Sequence, residues 1–528
     1  MASPAEAVSG DWPGGDRPGV VPRGSQGLAL ATLCTLLFLT FLDNTVVSVA
    51  LGNLQTSLKA DVTDLQWVVG AYALTFASIM MACGMIGDEL GRKKVMLAGA
   101  AVFCAGSVLC ALAPNVGVLI AGRAVMGLGA AASEPGTLSM LRQLYPDARA
   151  RSRAVGIWAG TSGFALAAGP VIGGVIVGAW NWRGIFWFNL VFGLAALIVA
   201  AIILPESSNA QAARVDIPGT LLAAGALAAG VFAVIDAESA GFGAVEVIAL
   251  LCVSAVLLAA FAWWEHRAPY PLLDLRFLRV PEFTTGIIAA FCTYFATFAI
   301  FFFTALYLVE VVGASGYRLA AVFAPMTILM IVSSVLAGRW TALAGPRWSI
   351  SIGCVLFAAG LFLANGYLSP RPDYGPLALA LGLAGIGIGT TVVPITSSVL
   401  SAVPPERSGM AASAANTSRE IGAVTGVAVL GSLVDSQLRS SLAGQMSHLG
   451  IPATFQTLVA NALETGQIPK NTAGYAGYGK LVQEVIEAAY TAFHQGLHAA
   501  LYLSAGLALA AGLLALITLR SHPVDAGS

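Results

Sequence analysis

Runs of about twenty apolar residues recur along this chain at short intervals, and nothing constrains its fold more. A bilayer core is crossed by roughly 20 apolar residues in α-helix, because a helix satisfies its backbone hydrogen bonds within itself. Fourteen runs qualify: 27–51, 66–87, 95–113, 116–141, 153–178, 184–204, 217–236, 244–264, 284–309, 318–338, 349–366, 376–402, 409–435 and 496–519. Composition agrees, with 57% hydrophobic residues, 10% charged and a mean hydropathy of +0.82, where soluble domains carry roughly a quarter charged residues. The expected fold is an all-α integral membrane protein with 14 transmembrane helices. A net charge of −1 leaves no electrostatic case for nucleic acid.

An even count puts both ends on one side. With that side cytoplasmic, it holds Arg17, Arg23, Arg92, Lys93, Lys94, Arg142, Arg149, Arg151, Arg153, Arg214, Arg267, Arg276, Arg279, Arg339, Arg347, Arg407 and Arg520. The other side keeps Lys59, Arg183, Arg318, Arg371, Arg439, Lys470 and Lys480. Cytoplasmic loops are enriched in Lys and Arg, so both termini are expected in the cytoplasm of a multi-pass cell-membrane protein. Residues 1–26, rich in Pro, Gly and charge, read as a disordered tail without a cleaved signal, and 520–528 as a second tail. Cys34, Cys83, Cys104, Cys110, Cys252, Cys292 and Cys354 all fall in apolar runs. Without ligand-like spacing they read as small buried hydrophobes.

Between the second and third runs stands GMIGDELGRKKVM, residues 84–96. Gly84, Gly87 and Gly91 suit a tight helix–helix turn, Asp88 can accept backbone N–H groups or pair with a cation, and Arg92 leads the basic anchor. The segment resembles the signature loop of the major facilitator superfamily, with Glu89 where that family usually has arginine. LAGRWTALAGPRW, after the tenth run, is a degraded echo, as expected of two related halves.

Further stretches resemble the fourteen-helix drug:proton antiporters of that superfamily. These are FLDNTVVSVALGNLQTSLKADVTDLQWVVGAYAL (41–74), GPVIGG (169–174), WRGIFWFNL (182–190) and VPPERSGMAASAANTSREIGAVTGVAVLGSL (403–433). Gly52 and Glu420 depart from the pattern, standing where proline and glutamine are usual. The resemblance implies two six-helix bundles, 27–204 and 284–519, joined by two extra helices within 217–264. It also implies efflux of drugs or similar amphiphiles in exchange for protons, by alternating access, with the proton gradient and no cofactor as the energy source. Its partners would be protons, a small-molecule substrate and the lipid bilayer, and the protein would be a monomer rather than an enzyme. In related antiporters the arginine matched by Arg123 takes part in proton coupling, and GPVIGG (Gly169, Pro170, Gly173, Gly174) marks antiport.

Ionisable residues inside a bilayer are costly and mark function. Asp43 lies about as far below the outer end of the first run as Arg123 lies below that of the fourth, at 1.5 Å per residue, so the two can pair. Asp43 bonding only locally, near Asn44 and Thr45, is the alternative. Glu134 follows Arg123 by eleven residues, three turns and about 20°, on one face with Gly127. Pro135 beside it removes a helix hydrogen bond and offers a kink. Burial disfavours the charged form of a carboxylate, which suits a group that binds and releases a proton. Glu134 could also recognise cationic drugs directly, or be satisfied by nearby hydroxyls.

Arg419 and Glu420 are adjacent and point about 100° apart, so they should not line one path; Glu420 either faces the cavity or ties to a neighbouring helix. Asn416 lies one turn before them. Phe295 and Phe298 could stack on a substrate or simply pack. Asp43, Arg123 and Glu134 are thus the proton-coupling candidates. Glu134, Asn416, Arg419, Glu420, Phe295 and Phe298 are the cavity candidates.

Residues 436–495 read as a long outer loop, with apolar residues from Leu481 to Phe493 at helical spacing. GYAGYGKL (474–481) lacks the Ser/Thr and the preceding strand of a P-loop. His494 and His498, four apart, lack a third metal ligand nearby. A proton symporter importing a metabolite and a non-transporting membrane sensor are the competing functions.

Overall fold

The computed structural model describes residues 26–145, 147–206, 216–310, 312–369, 372–404, 407–448 and 479–519. The two tails and most of GYAGYGKL lie outside these residues. The described chain folds into long helices: α1 (Gln26–Leu58), α2 (Val62–Leu90), α3 (Arg92–Ala111), α4 (Val116–Leu144), α5 (Ala148–Ala179), α6 (Arg183–Ile203), α7 (Ile217–Ala240) and α8 (Val245–Glu265). Then come α9 (Pro281–Val309), α10 (Gly316–Ala344), α11 (Pro346–Tyr367), α12 (Tyr374–Ser401), α13 (Ser408–His448) and α14 (Gly479–Thr518). Short polar residues start several of them by accepting orphan N–H groups. Asn115 accepts from Val118 at 3.0 Å, Asp147 from Ala150 at 2.8 Å and Asp216 from Gly219 at 2.9 Å, and Asp61 with Asp64 forms a capping box.

Among the described residues, twelve helices are long and apolar enough to cross a membrane. α5 makes a thirteenth if the 40° bend between Gly160–Leu166 and Ala168–Ala179 lies within one crossing. α13, which carries Asn416, Arg419 and Glu420, is not one of these. Twelve or thirteen crossings are therefore supported, against the fourteen expected.

The helices fall into two sets of six with one pattern of neighbours. α1 packs on α4, α5 and α6; α4 packs on α2 and α3; α3 packs on α6. Eight helices further on, α9 packs on α12, α13 and α14, α12 on α10 and α11, and α11 on α14. The sets meet through α2 against α13 and α5 against α10, which the same shift exchanges. α7 and α8 pair with each other, and α7 leans on α2 and α13 beside that seam.

Boundaries moved where packing overrides hydropathy. α1 runs on to Leu58 through a 3-10 turn, Val47–Ala50, where the β-branched Thr45, Val46, Val47 and Val49 fit a regular helix poorly. α4 continues through Pro135 as a single helix, and the bend falls instead in α5 between Leu166 and Ala168, in the turn before Pro170. The loop expected at 436–495 is helical at both ends, as α13 extends to His448 and α14 begins at Gly479. Of the cysteines, Cys252 is exposed and Cys83 half-buried, so burial does not hold for all seven.

Candidate functional site

Arg123 on α4 is fully buried, and its guanidinium is satisfied from two other helices. It pairs with Asp43 on α1, donates from Nε to the Val68 carbonyl on α2 at 2.8 Å, and lies 4.5 Å from the centre of the Tyr72 ring. The other oxygen of Asp43 accepts from Asn189 on α6 at 2.7 Å. Tyr72 in turn donates to the Thr40 carbonyl at 2.9 Å. Four helices of the first set thus converge on one buried ion pair, and the local-bonding alternative for Asp43 falls away. Removing one partner of such a pair leaves a buried charge and costs about 3–5 kcal/mol.

Glu134, eleven residues further along α4, faces the other set. Its Oε1 accepts from Asn416 Nδ2 on α13 at 2.7 Å. Asn416 Oδ1 accepts from Arg419 at 3.0 Å, and Arg419 also donates to Thr396 on α12 and lies 5.4 Å from the Tyr294 ring centre. Glu420 turns the other way, toward α1, where its Oε1 accepts from Asn44 Nδ2 at 3.0 Å. Arg419 and Glu420 therefore serve different contacts, and Glu420 ties the second set to the first.

Glu134 and Glu420 are 2% and 1% exposed. The second carboxyl oxygen of each, with the Tyr294 hydroxyl, has no hydrogen-bond donor among the described residues. Buried polar atoms are nearly always partnered, so these oxygens mark places where a proton or a ligand's N–H or O–H would be favourable. Phe295 and Phe298 are packed in the apolar core, Phe295 with its backbone against Gly426.

The small-residue motif of α5 sits where three helices meet. Pro170 has no N–H for the Leu166 carbonyl one turn before it, and Thr45 of α1 donates to that carbonyl instead, at 2.9 Å. A Cβ at Gly169 would lie 2.9 Å from Val46 N, and one at Gly173 would lie 2.6 Å from Val46 O. Gly174 faces α10: its Cβ would lie 2.6 Å from the Gly316 carbonyl and 2.9 Å from Ala320 Cβ.

At the opposite membrane face, Gly91 turns α2 into α3 with φ +115°, and Gly345 turns α10 into α11 with φ +80°. These equivalent turns are the structural form of the sequence echo. Arg92 opens α3, and Gly84 faces Pro135 and Ser413. The Asp88 side chain lies outside the described residues.

Several partners were not identified from sequence. Glu206, just past α6, accepts from Lys93 N at 3.2 Å and supplies the cap that Gly91 cannot. Asn44, Asn189 and Tyr72 complete the buried network. A lone amide inside an apolar run was the available signal for Asn189, and Asn44 stood beside a suspected acid. His494 and His498 approach each other at 3.1 Å, with His494 also against the Leu368 carbonyl.

The Major Facilitator Superfamily model matches residues 33–427. The multidrug resistance protein Stp of Mycobacterium tuberculosis is 34% identical over 79% of this chain and 78% of its own length. The methylenomycin A resistance protein of Streptomyces coelicolor is 33% identical over 80% and 90%. Among solved structures, a bacterial homolog of the human lysosomal transporter Spinster, inward-facing and unoccupied, superposes with a TM-score of 0.61 at 16% identity. That match covers 95% of this chain and 99% of that one.

Proposed function

This chain belongs to the Major Facilitator Superfamily, and from that premise we propose that it exports drugs, antibiotics or similar amphiphilic molecules in exchange for protons. It is a multi-pass membrane transporter whose relatives include multidrug and antibiotic resistance proteins. The face with the Gly91 turn is the cytoplasmic one, both termini lie there, and the membrane is the bacterial plasma membrane. The two sets of six helices rock about the α2–α13 and α5–α10 contacts, exposing the buried acids to one side and then the other.

The observation that carries this reading is Glu134, a carboxyl buried between the sets and bonded through one oxygen only. Such a group is costly as a bare charge in a dry interface. It is stable when it holds either a proton or a cargo donor, so the two compete, and competition for one group is what exchange requires. Asp43 and Arg123 couple the same event to the first set. A proton on Asp43 cancels the charge that holds Arg123, freeing α4 to shift against α1. The gradient alone supplies the energy, with no cofactor.

The test is accumulation of a fluorescent amphiphilic dye in cells expressing the protein. Expression should lower dye content, a protonophore should cancel the effect, and Glu134→Gln should abolish it at unchanged membrane level. Full efflux by Glu134→Gln would remove Glu134 from the mechanism.

A further inference from the structure

The two bonds that cross between the helix sets at the buried acids are reciprocal. Glu134 of the first set is held by Asn416 of the second, and Glu420 of the second is held by Asn44 of the first. In each case Oε1 takes the amide and Oε2 has no donor among the described residues. The two bonds lie at different depths, since Asn416 precedes Glu420 by four residues on α13, about 6 Å along the axis. The Glu134–Asn416 bond is the nearer to the Gly91 face. Its amide orientation is fixed, because Asn416 Oδ1 is occupied by Arg419.

We propose that Asn416 and Asn44 are positioning residues, two latches that tie the opening of the α4–α13 and α1–α13 contacts to the loading of Glu134 and Glu420 respectively. This rests on the exchange reading above. A hydrogen bond to a carboxylate is roughly twice as strong as one to a neutral acceptor. A proton or a cargo donor on Oε2 withdraws negative charge from Oε1, so each acid loosens its own latch when loaded. Loading Glu134 releases the contact nearer the Gly91 face; loading Glu420 releases the deeper one. The other charged groups acting on these acids are Arg419, which both feel, and Glu134, which Glu420 feels. Tyr294 and Tyr72 face the cluster, and Asp43 with Arg123 adjoin it through Tyr72. Asn44 follows Asp43 directly and stands just before the 3-10 turn of α1, so a shift at the ion pair reaches this latch within one residue.

The latches are tested by a readout that needs no transport. Ser413 lies on α13 opposite Gly84, on the Gly91 side of Asn416. In a background with Cys83 and Cys252 changed to Ser, Ser413→Cys is labelled by a water-soluble maleimide. Asn416→Ala should label about tenfold faster, the scale of one lost charge-assisted hydrogen bond, whereas Asn44→Ala should leave the rate unchanged. Equal labelling in the parent and Asn416→Ala proteins overturns the proposal.

In proteoliposomes, Asn416→Ala and Asn44→Ala should each leak protons without cargo, and Asn416→Gln should restore tightness. Asn416→Asp places two carboxyls face to face, which bond only when one is protonated. Its exchange activity should therefore survive at acid pH and fall at alkaline pH relative to the parent. An unshifted pH profile counts against the latch. Parent protein that moves cargo without protons would instead defeat the exchange reading, and the labelling result would still decide the latch.

Discussion

Asp43 and Arg123 must be altered together if the protein is to tolerate losing either. Both are fully buried, and each is the other's counter-charge. We predict that Asp43→Asn lowers stability in detergent by about 3–5 kcal/mol by leaving Arg123 uncompensated. Arg123→Gln added to it should recover most of the loss, read as a double-mutant cycle on thermal unfolding. Additive losses would mean that the pair is not coupled. The sequence offered this pair as one of two readings, because equal depth in two spans lets two charges meet where the helices face each other, and the contact of α1 with α4 makes that choice. The bonds of Glu134 and Glu420 were not legible there. They join α4 and α1 to α13, across the seam between the two sets, and hydropathy does not encode how α13 is rotated or registered against its opposite. For the same reason Phe295 and Phe298, on a helical stripe that reads equally as cavity or core, could not be placed without the packing of α9 on α13.

Two glycines one residue apart on α5 should fail in different ways. Gly173 touches α1 within its own set, whereas Gly174 touches α10 across the seam. Gly173→Val should therefore lower the amount of folded protein, because overpacking a tight contact costs about 1–3 kcal/mol and Val46 cannot withdraw its carbonyl. Gly174→Val should leave a folded, membrane-inserted protein whose sets cannot close on that face, so dye efflux is lost while detergent stability is kept. Comparable efflux in Gly174→Val and parent would show that the α5–α10 contact does not need to close. At the Gly91 turn, alanine has to adopt φ +115° and meets Glu206 Oε1 at 2.7 Å. Gly91→Ala should cost on the order of 1–3 kcal/mol, seen as a lower melting temperature. Helix existence was readable from the apolar runs. Helix ends were less so, because capping by Glu206 and the continuation of α13 and α14 past the bilayer depend on groups distant in sequence.

As a whole, the molecule is two copies of one arrangement, visible in sequence only as a weak echo of one loop and in space as a neighbour pattern repeated every eight helices. Two of the direct hydrogen bonds across the seam between the copies join a carboxyl to an amide. A joint held by groups that take up protons is suited to opening when protons or cargo arrive, and that is the central claim. The direct measurement uses purified protein in liposomes with a pH-sensitive dye inside and an outward-directed gradient of an amphiphilic cargo. Cargo leaving should draw protons inward, in proportion, and Glu134→Gln should carry neither at normal reconstitution yield. Cargo movement with no change in internal pH, or proportional proton flux retained in Glu134→Gln, would contradict it.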